Sequence, residues 1–283
     1  MKLFDGKKES QRILDGLARD VKNADRPPVL AIILVGDDEA SKLYIKLKKE
    51  RGGEIGIKVQ EYQFETSTPQ DQIIKTIEII NQDSAIDGLI VQLPLPDGFN
   101  QNAIVAAIDP AKDVDGFHYE NRLLMASGKE LFAPVLPQAI LYAMRCAASD
   151  QELRQKKAVA LVNSLVFGQV LQSFLKTQGV SITYLLRESP VTQEVEKQLS
   201  AADVIITACG VPRLIGKKEM KPGVILIDAG IVREGSKVVG DVDRDAAEEG
   251  ASFLTPVPGG LGPMTVAFLL KNTYLACLQH HGK

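Results

Sequence analysis

Short runs of branched apolar residues alternate with amphipathic segments along the whole of this 283-residue chain. The runs at 29–35 and 88–93 are apolar at nearly every position, which is typical of strands buried on both faces of a parallel sheet. Parallel strands need a crossover between them, and the amphipathic segments provide one. The pattern predicts an α/β protein with mostly parallel sheets, long enough for two α/β domains of ordinary size.

The expected elements follow one another without an internal repeat or a low-complexity tail. Strands are expected at 29–35, 59–64, 88–93, 158–162, 180–186, 203–207 and 224–228. Helices are expected at 8–22, 38–53, 69–81, 100–107, 138–148, 168–177, 191–199 and 264–279, with a helical turn near 217–220. Pro134 and Pro137 mark the expected junction ahead of a second α/β unit, which begins at Ala158.

Residues 36–57 contain the first candidates for catalysis. Asp37 or Asp38 can cap the helix that follows the first buried strand. In that helix Tyr44 and Lys48 lie four residues apart, so a phenol and an amine share one face. Such a pair can hold a flat polar heterocycle and exchange its protons. The competing interpretation is a solvated basic face, because the same segment also contains Lys42, Lys46, Lys49 and Arg51.

Composition and charge exclude several functional classes. The net charge of −3 argues against a general nucleic-acid binder, which needs a basic surface. The 3 cysteines lack metal-ligand spacing, and 3 histidines make a multi-histidine metal site or a Ser-His-Asp triad unexpected. The N-terminus turns polar at once, and no apolar stretch approaches the roughly 18–20 residues of a membrane span. We therefore expect a cytoplasmic protein without metal, membrane or nucleic-acid partners, whose acid–base groups are Lys, Tyr, Asp or Glu.

Polar side chains follow the strand at 88–93. Gln92 stands at its carboxyl end, where open α/β sheets bind their ligands. An amide there can orient a neighbouring ammonium, or it can simply cap its own loop. Asp113 and Asp115 are separated by one residue, so in an extended loop both carboxylates point the same way. They can hold the N–H groups of a heterocycle, or accept backbone hydrogen bonds in a solvated loop.

Two further segments have backbones suited to ligands. A rigid, turn-rich loop is predicted at 254–265, where prolines fix the backbone and glycines expose N–H groups. In the second unit, the turn after the strand at 158–162 occupies the place of a dinucleotide-binding turn, but only Gly168 of the Gly-x-Gly-x-x-Gly pattern is present. The later turns Asp228-Ala229-Gly230 and Gly240-Asp241-Val242-Asp243 have structural roles as their simplest interpretation.

In chain order, these segments resemble the bifunctional methylenetetrahydrofolate dehydrogenase/methenyltetrahydrofolate cyclohydrolase family over nearly the whole chain. The motifs that carry the resemblance are Ser41-x-x-Tyr44-x-x-x-Lys48, Gly88-Leu-Ile-Val-Gln92-Leu-Pro-Leu-Pro96, Pro110-x-Lys112-Asp113-Val114-Asp115-Gly116-Phe117-His118 and Thr255-Pro-Val-Pro-Gly-Gly-Leu-Gly-Pro-Met-Thr265. A short-chain dehydrogenase also uses Tyr-x-x-x-Lys, but there the pair follows a dinucleotide fold, whereas Tyr44 precedes one. A shikimate-type dehydrogenase has a similar two-domain plan without the second and third motifs.

The resemblance implies a folate-binding catalytic domain at 1–135 and 264–283, closed by the C-terminal helix. It implies a Rossmann-like NAD(P)-binding domain at 136–263, a cleft where the domains meet, and a homodimer.

The resemblance also implies roles for particular residues. Lys48 is the implied acid–base residue, and Gln92 holds and tunes it. Tyr44 packs against the pterin, and Asp115 binds its amino-pyrimidine edge. The other implied substrate-binding residues are Leu93, Pro258, Gly259, Gly260, Pro263, Met264 and Thr265. The implied cofactor-binding residues are Asn163, Ser164, Gly168, Arg187, Ser189, Cys209, Gly210 and Ile231.

The implied reactions belong to one-carbon folate metabolism. The first oxidises 5,10-methylenetetrahydrofolate to 5,10-methenyltetrahydrofolate with NADP, and the second hydrolyses the methenyl cation to 10-formyltetrahydrofolate. Proton transfers assisted by Lys48 open the ring, because burial can lower a lysine pKa enough for proton exchange near neutrality. Lys42, Lys46 and Lys49 would attract the glutamate carboxylates of the folate.

The departures from the family pattern lie mainly in the cofactor half. Where the family usually has Gly-Arg-Ser, this chain has Val162-Asn163-Ser164, and where it has His-Ser-x-Thr, this chain has Leu186-Arg187-Glu188-Ser189. Pro-Cys-Thr-Pro is replaced by Pro134-Val135-Leu136-Pro137, and Asn-x-Gly by Asn121-Arg122-Leu123.

Two explanations of these departures remain open. In the first, the site is intact: Arg187 replaces the missing positive charge and keeps NADP, or Glu188 bonds the ribose hydroxyls and favours NAD. In the second, the nucleotide site is degenerate, and the protein keeps only cyclohydrolase activity or folate binding. We expect weaker dinucleotide affinity than is normal for the family.

Overall fold

The computed structural model describes residues 1–129, 131–188, 192–235 and 237–281. Its backbone falls into two compact units. The six-stranded unit comprises Met1–Glu9 and Leu136–Thr265, and the three-stranded unit comprises Ser10–Val135 and Val266–Lys283. The main sheet of each unit is parallel, which confirms the predicted α/β class.

The three-stranded unit is built around one fully buried strand. Its strands are β2 (Val29–Val35), β3 (Lys58–Phe64) and β4 (Gly88–Val91), in the order β3-β2-β4. Every residue of β2 is buried, because strands flank it on both sides and helices cover both faces of such a sheet. The helices are α1 (Gly6–Lys22), α2 (Glu39–Glu54), α3 (Gln70–Gln82), α4 (Gln101–Ala106), α5 (Tyr119–Ala126) and α11 (Leu261–His281), of which α1 and α11 begin in the six-stranded unit.

The six-stranded unit is doubly wound. Its sheet order is β1-β11-β8-β7-β5-β6, from β1 (Lys2–Leu3), β5 (Ala158–Val162), β6 (Ile182–Leu186), β7 (Val204–Ala208), β8 (Val224–Asp228) and β11 (Ala251–Leu254). The other elements are α6 (Val135–Ala147), α7 (Asp150–Gln155), α8 (Leu165–Thr177), α9 (Gln193–Ser200), α10 (Arg244–Gly250), the predicted helical turn, found as a 3₁₀ helix at Lys217–Glu219, and the hairpin of β9 (Val232–Glu234) and β10 (Lys237–Val239). Since β5 lies between β6 and β7, the order reverses there, which is where open α/β sheets bind ligands.

The unit boundaries differ from the expected domains at the N-terminus. Residues 1–9 belong to the six-stranded unit because β1 pairs in parallel with β11. A strand of two residues has no periodicity that a sequence pattern can reveal. The sequence pattern also missed β9, β10, β11, α5, α7 and α10, all of which are short.

Helix α11 corrects two expectations. It begins at Leu261, so Pro263 lies in the first turn, where proline is tolerated, and the turn-rich loop is shorter than predicted. Its Leu261–His280 stretch reaches a mean hydropathy of 1.2, so one stretch does have the length and composition of a membrane span. However, 61% of that window is buried inside the protein, as in the core helix of a globular protein.

Candidate active site

Helix α2 begins where β2 ends and carries the predicted phenol and amine. Asp38, rather than Asp37, caps it, since its carboxylate accepts a hydrogen bond from the Ser41 N–H at 2.7 Å. Tyr44 and Lys48 are both partly buried. The Tyr44 hydroxyl has no hydrogen-bond partner within the described part of the chain. A phenol in this state is available to a ligand.

Gln92 meets Lys48 at the carboxyl edge of the three-stranded sheet. The Lys48 Nζ donates to the Gln92 Oε1 at 2.7 Å. The Gln92 Nε2 donates to the Leu93 carbonyl at 2.8 Å, so the oxygen of the amide faces the amine. The backbone N–H of Gln92 donates to the Ile33 carbonyl and so extends the pairing with β2. Gln92 is therefore held through both its backbone and its side chain. This bond confirms the predicted contact between the amide and the ammonium.

The two aspartates of the third motif have different surroundings. Leu89 of β4 bridges to Asp113, so the aspartate loop runs beside β4 towards the same edge of the sheet. The buried Asp113 carboxylate accepts hydrogen bonds from the N–H groups of Gly116 and His118 and from the Asn121 amide. The Asp115 carboxylate has no hydrogen bond of this kind within the described residues. The two carboxylates therefore differ in their partners: Asp113 organises the loop, and Asp115 is available to a ligand.

Asn272 is a supporting residue that the sequence analysis missed. It lies on α11, is 1% exposed, and donates through Nδ2 to the Val114 carbonyl at 2.8 Å and the Ala133 carbonyl at 2.9 Å. These bonds fasten the C-terminal helix to the residue before Asp115. A lone amide in the middle of an apolar helix is the sequence signal that would have indicated it.

Burial sets the charge state of the site. It lowers the pKa of Lys48 to about 8, against the opposing effect of the Asp115 carboxylate. It raises the pKa of Asp115 to about 6; Asp113 adds to this rise and Lys48 opposes it. It also raises the pKa of the Tyr44 phenol. The site therefore combines an amine that exchanges protons near neutrality with a carboxylate that is ionised at neutral pH.

The predicted basic face around Lys48 is largely neutralised. Lys42 pairs with Asp37 and Glu39, and its pKa is raised, mainly by its hydrogen bond to Asp37. Lys49 lies 2.5 Å from Glu61, and Lys46 lies 3.9 Å from Glu50. The expected attraction of glutamate carboxylates to free lysines is therefore not supported. Lys48 differs from these neighbours because its partner is a neutral amide.

The predicted ligand loop at 254–265 divides into exposed and buried residues. Pro258 is exposed, and Gly259 has a φ of +102°, which glycine adopts without strain. Pro263 and Thr265 are partly buried. The Gly260 N–H is already bonded to the Pro256 carbonyl, and Met264 is 0% exposed. These last two residues pack within the fold, and their assignment as substrate contacts stays a prediction.

The turn after β5 departs from a glycine-rich phosphate turn. Asn163 is exposed, and its amide donates to the Cys209 carbonyl at 3.1 Å, which ties the ends of β5 and β7 together. Ser164 caps α8 by accepting from the Phe167 N–H. Gly168 is buried in α8, and a Cβ there would lie 2.6 Å from the Tyr184 ring. Gly168 therefore permits close packing of helix on strand, and its role as a cofactor contact stays a prediction.

Arg187 brings a cation to this turn. The backbone N–H of Arg187 donates to the Val162 carbonyl at 2.8 Å, which places Arg187 directly beside the end of β5. Its Nε is buried and has no hydrogen-bond partner among the described residues. A buried unsatisfied guanidinium nitrogen is costly, and an anionic ligand would satisfy it.

The remaining predicted cofactor residues are uncharged and differ from one another in exposure. Gly210 is exposed with a φ of +66°, and Ile231 is 49% exposed. Cys209 is buried, and burial, together with Asp241, raises the pKa of its thiol to about 11, which makes it an inert side chain. Ser189 lies outside the described residues. Exposed groups and an unsatisfied cation at the carboxyl edge fit a dinucleotide.

Two domains of a single family match this chain. The catalytic domain of the tetrahydrofolate dehydrogenase/cyclohydrolase family matches residues 4–115, and the NAD(P)-binding domain of the same family matches residues 134–281. Bifunctional protein FolD 2 of Ectopseudomonas mendocina is 39% identical over 287 aligned positions, which cover 99% of this chain and 93% of that protein.

Solved structures share the fold over the whole chain. The bifunctional FolD methylenetetrahydrofolate dehydrogenase/cyclohydrolase of Campylobacter jejuni has a TM-score of 0.89 at 35% identity and covers 99% of this chain and 100% of its own. The Trypanosoma brucei methylenetetrahydrofolate dehydrogenase-cyclohydrolase, solved with NADP cofactor and an inhibitor, has a TM-score of 0.90 at 27% identity, with 98% and 97% covered.

The family, the fold, an enzymatic function in one-carbon folate metabolism and an NAD(P)-binding domain are thereby confirmed. The chain belongs to the tetrahydrofolate dehydrogenase/cyclohydrolase family, whose members carry a catalytic domain and an NAD(P)-binding domain in one polypeptide.

Proposed function

We propose that this protein oxidises 5,10-methylenetetrahydrofolate and hydrolyses the methenyl product, with Lys48 as the residue that moves protons. The observation that carries the proposal is the Lys48 amine, held 2.7 Å from the Gln92 oxygen with its pKa lowered to about 8. A solvated lysine would keep a pKa near 10.5 and would not exchange protons efficiently at neutral pH.

The other residues of the site hold the pterin in reach of that amine. The Asp115 carboxylate, ionised at neutral pH and without a hydrogen bond to another described residue, accepts the N–H groups of the amino-pyrimidine edge. Tyr44 packs its ring against the pterin and offers its free hydroxyl. Leu93 follows Gln92 and is 37% exposed, so it adds apolar contact.

The hydrolysis follows from the two protonation states of Lys48. The neutral amine accepts a proton from the water that attacks the methenyl carbon. The ammonium then donates a proton to the ring nitrogen as its bond to that carbon breaks, and the remaining hydroxyl proton is released to solvent as the formyl C=O forms. Gln92 keeps the amine in one place because its oxygen accepts an N–H in either state. For the oxidation, the bound dinucleotide supplies the hydride acceptor.

We infer that NADP is the preferred nucleotide and that Arg187 holds its 2′-phosphate. Asn163 cannot supply the cation, and its amide is committed to the Cys209 carbonyl. The unsatisfied Arg187 Nε at the end of β6 favours retention of the phosphate site over degeneracy. Ser164 and the start of α8 offer the polar groups that a phosphate needs. The exposed Gly210 and Ile231 are the further contacts we assign to the dinucleotide.

A homodimer and a cytoplasmic location remain proposals drawn from the family resemblance and the sequence. Sedimentation equilibrium tests the first, and fractionation of cells that express the protein tests the second. We propose neither a nucleic-acid partner nor a membrane partner, in keeping with the net charge of −3.

The function is tested by two assays of the full chain run in parallel. Oxidation of methylenetetrahydrofolate is followed with NADP and with NAD, and hydrolysis of methenyltetrahydrofolate is followed without nucleotide. We expect both reactions, with NADP preferred over NAD. Hydrolysis without oxidation would identify a cyclohydrolase with a degenerate nucleotide site, and the absence of both would leave only folate binding.

A further inference from the structure

One fully buried carboxylate organises the turn after β7. Asp241 is 0% exposed and accepts hydrogen bonds from the Thr207 hydroxyl at 2.7 Å, the Cys209 N–H at 2.6 Å and the Val211 N–H at 2.8 Å. The amides of Cys209 and Val211 are thus turned inward. Gly210 stands between them, exposed and with a φ of +66°, and its own N–H is uncommitted within the described chain. Asp241 therefore holds the two flanking amides, and the Gly210 N–H between them has no partner among the described residues.

A second buried carboxylate holds the first one. Asp228, at the end of β8, accepts from the Gly230 N–H at 2.9 Å, the Asp241 N–H at 3.1 Å and the Val242 N–H at 2.9 Å. Because β7 and β8 are neighbouring parallel strands, both turns lie at the carboxyl edge of the sheet. The contacts form a relay: Asp228 fixes the backbone of Asp241, and the Asp241 side chain fixes the turn at 207–211.

Two glycines allow the two turns to approach each other closely. A Cβ on Gly230 would lie 2.1 Å from the Asp241 Oδ1, and a Cβ on Gly240 would lie 2.0 Å from the Asp228 Oδ2. Each glycine thus lies directly against the carboxylate of the opposite turn. Any larger residue at either position would push a carboxylate off its donors.

The arrangement is electrostatically expensive. No cation pairs with Asp228 or Asp241 among the described residues, and only N–H and O–H donors compensate their charges. Burial, with a further contribution from Asp241, raises the pKa of Asp228 to about 6. Buried charges need complete hydrogen bonding to be tolerated, and such networks hold groups in fixed positions. Preorganised backbone donors are what a polar ligand at this edge requires.

We propose that Asp241, itself held by Asp228, is a positioning residue of the dinucleotide site: it fixes the turn at 207–211 so that the Gly210 N–H faces an acceptor oxygen of the dinucleotide. This rests on the proposed function only in requiring that the protein binds a dinucleotide. Asp241 and Asp228 do not touch the ligand. Their effect is on nucleotide affinity, and it leaves the proton chemistry of Lys48 unchanged.

The test is Asp241→Asn in the full chain. The substitution keeps the size of the side chain but replaces one acceptor oxygen by an NH₂ group, which opposes an N–H donor of the turn. Binding of NADP is measured by isothermal titration calorimetry, and methenyltetrahydrofolate hydrolysis is measured without nucleotide. We expect the Kd for NADP to rise at least about tenfold, which corresponds to about 1.4 kcal/mol. The hydrolysis rate stays within about twofold, and in the oxidation the KM for NADP rises more than kcat falls.

The control is Asp243→Ala, which removes the N-cap of α10 a few residues away. Asp243 accepts from the N–H groups of Asp245 and Ala246, so its loss lowers the Tm without touching the turn at 207–211. Its Kd for NADP should equal that of the wild type. An equal rise of Kd in both variants would mean that Asp241 matters only for stability, and the proposal would be overturned.

A second variant tests the proposal if Asp241→Asn does not fold. Thr207→Val removes a single donor to Asp241 and keeps the buried shape, and we expect its Kd to rise about threefold. A folded variant of either kind with the wild-type Kd would overturn the positioning role, while the proposed function would stand. If the wild type bound neither NADP nor NAD, both this proposal and the oxidation would be overturned.

Discussion

The Lys48 amine and the Gln92 carboxamide oxygen lie 2.7 Å apart, although 44 positions separate the two residues in the sequence. The contact arises because α2 starts at the end of β2, and β4, which Gln92 follows, is the neighbour of β2 in the sheet. A neutral amide accepts a hydrogen bond from the ammonium without adding a negative charge. Burial can therefore still lower the lysine pKa. This choice of partner distinguishes Lys48 from Lys42, Lys46 and Lys49 on the same helix.

Replacement of Gln92 by a carboxylate should shift the pH profile upwards. In Gln92→Glu, a negative charge stabilises the ammonium and raises the pKa of Lys48 above its wild-type value of about 8. The rising limb of the hydrolysis rate, where Lys48 loses its proton, should move up by about one pH unit. The control is Gln101→Glu, which makes the same charge change on the exposed start of α4 and should leave the limb in place. An unshifted limb in Gln92→Glu would contradict the tuning role.

Replacement of Asp115 should shift the same limb downwards. The Asp115 carboxylate opposes the effect of burial on Lys48, so Asp115→Asn should lower the lysine pKa further. The variant also loses a charged acceptor for the pterin, and we expect the KM for folate to rise about tenfold. In the wild type this KM should rise as the pH falls below about 6, where Asp115 becomes protonated, and the variant should lose that dependence. Asp97→Asn on the exposed surface is the matched control, with wild-type values expected throughout.

Lys48→Met should stabilise the protein at neutral pH. The folded-state pKa of about 8 lies below the usual 10.5, so between these values the unfolded chain binds a proton that the folded chain does not. The free energy of unfolding therefore rises with pH across this window, and below it the folded state carries the cost of a buried charge. We expect Lys48→Met to raise the free energy of unfolding at pH 7 by about 1–2 kcal/mol, discounted for the partial exposure of the side chain. Urea denaturation measures it, and a gain that did not shrink above about pH 10 would contradict the assignment.

Asn272→Leu should weaken both the fold and folate binding. The substitution leaves the Val114 and Ala133 carbonyls without their shared donor and should cost about 2–4 kcal/mol of stability. Because Val114 precedes Asp115, the KM for folate should also rise. Thr273→Val is the neighbouring control: among the described residues, the Thr273 hydroxyl bonds only to Leu269 of the same helix, so its loss should leave the KM unchanged.

Arg187→Gln should remove the preference for NADP. Loss of the guanidinium should raise the Kd for NADP about 10–100-fold, the range expected for a charged phosphate contact, with little change for NAD. Arg244→Gln, which breaks an exposed pair with Glu248, should change neither Kd. If Arg187→Gln bound NADP as tightly as the wild type, Arg187 would not be the ligand of the 2′-phosphate.

Much of the fold and of the site can be predicted from the sequence, because long motifs and long buried strands have distinctive residue patterns. β2 and β5 match their predicted bounds, and the Lys48–Gln92 contact follows from two strands ending at one edge. The different roles of Asp113 and Asp115 are not legible, because the donors that distinguish them come from His118 and Asn121 across a turn.

Other features depend on contacts between distant parts of the chain. Lys49 looks free in the sequence, but a carboxylate on the neighbouring strand neutralises it. Gly230 and Gly240 look like ordinary turn glycines until each is seen against the carboxylate of the other turn. β1 becomes a strand only because the edge of β11 is available to it.

The pH dependence of hydrolysis tests whether Lys48 is the residue that moves the proton. The rate of methenyltetrahydrofolate hydrolysis is measured from pH 6 to pH 10 for the wild type and for Lys48→Met, and the difference is taken at each pH. We expect a difference that rises as Lys48 loses its proton and levels off above about pH 8. Equal rates for the two proteins at every pH would contradict it.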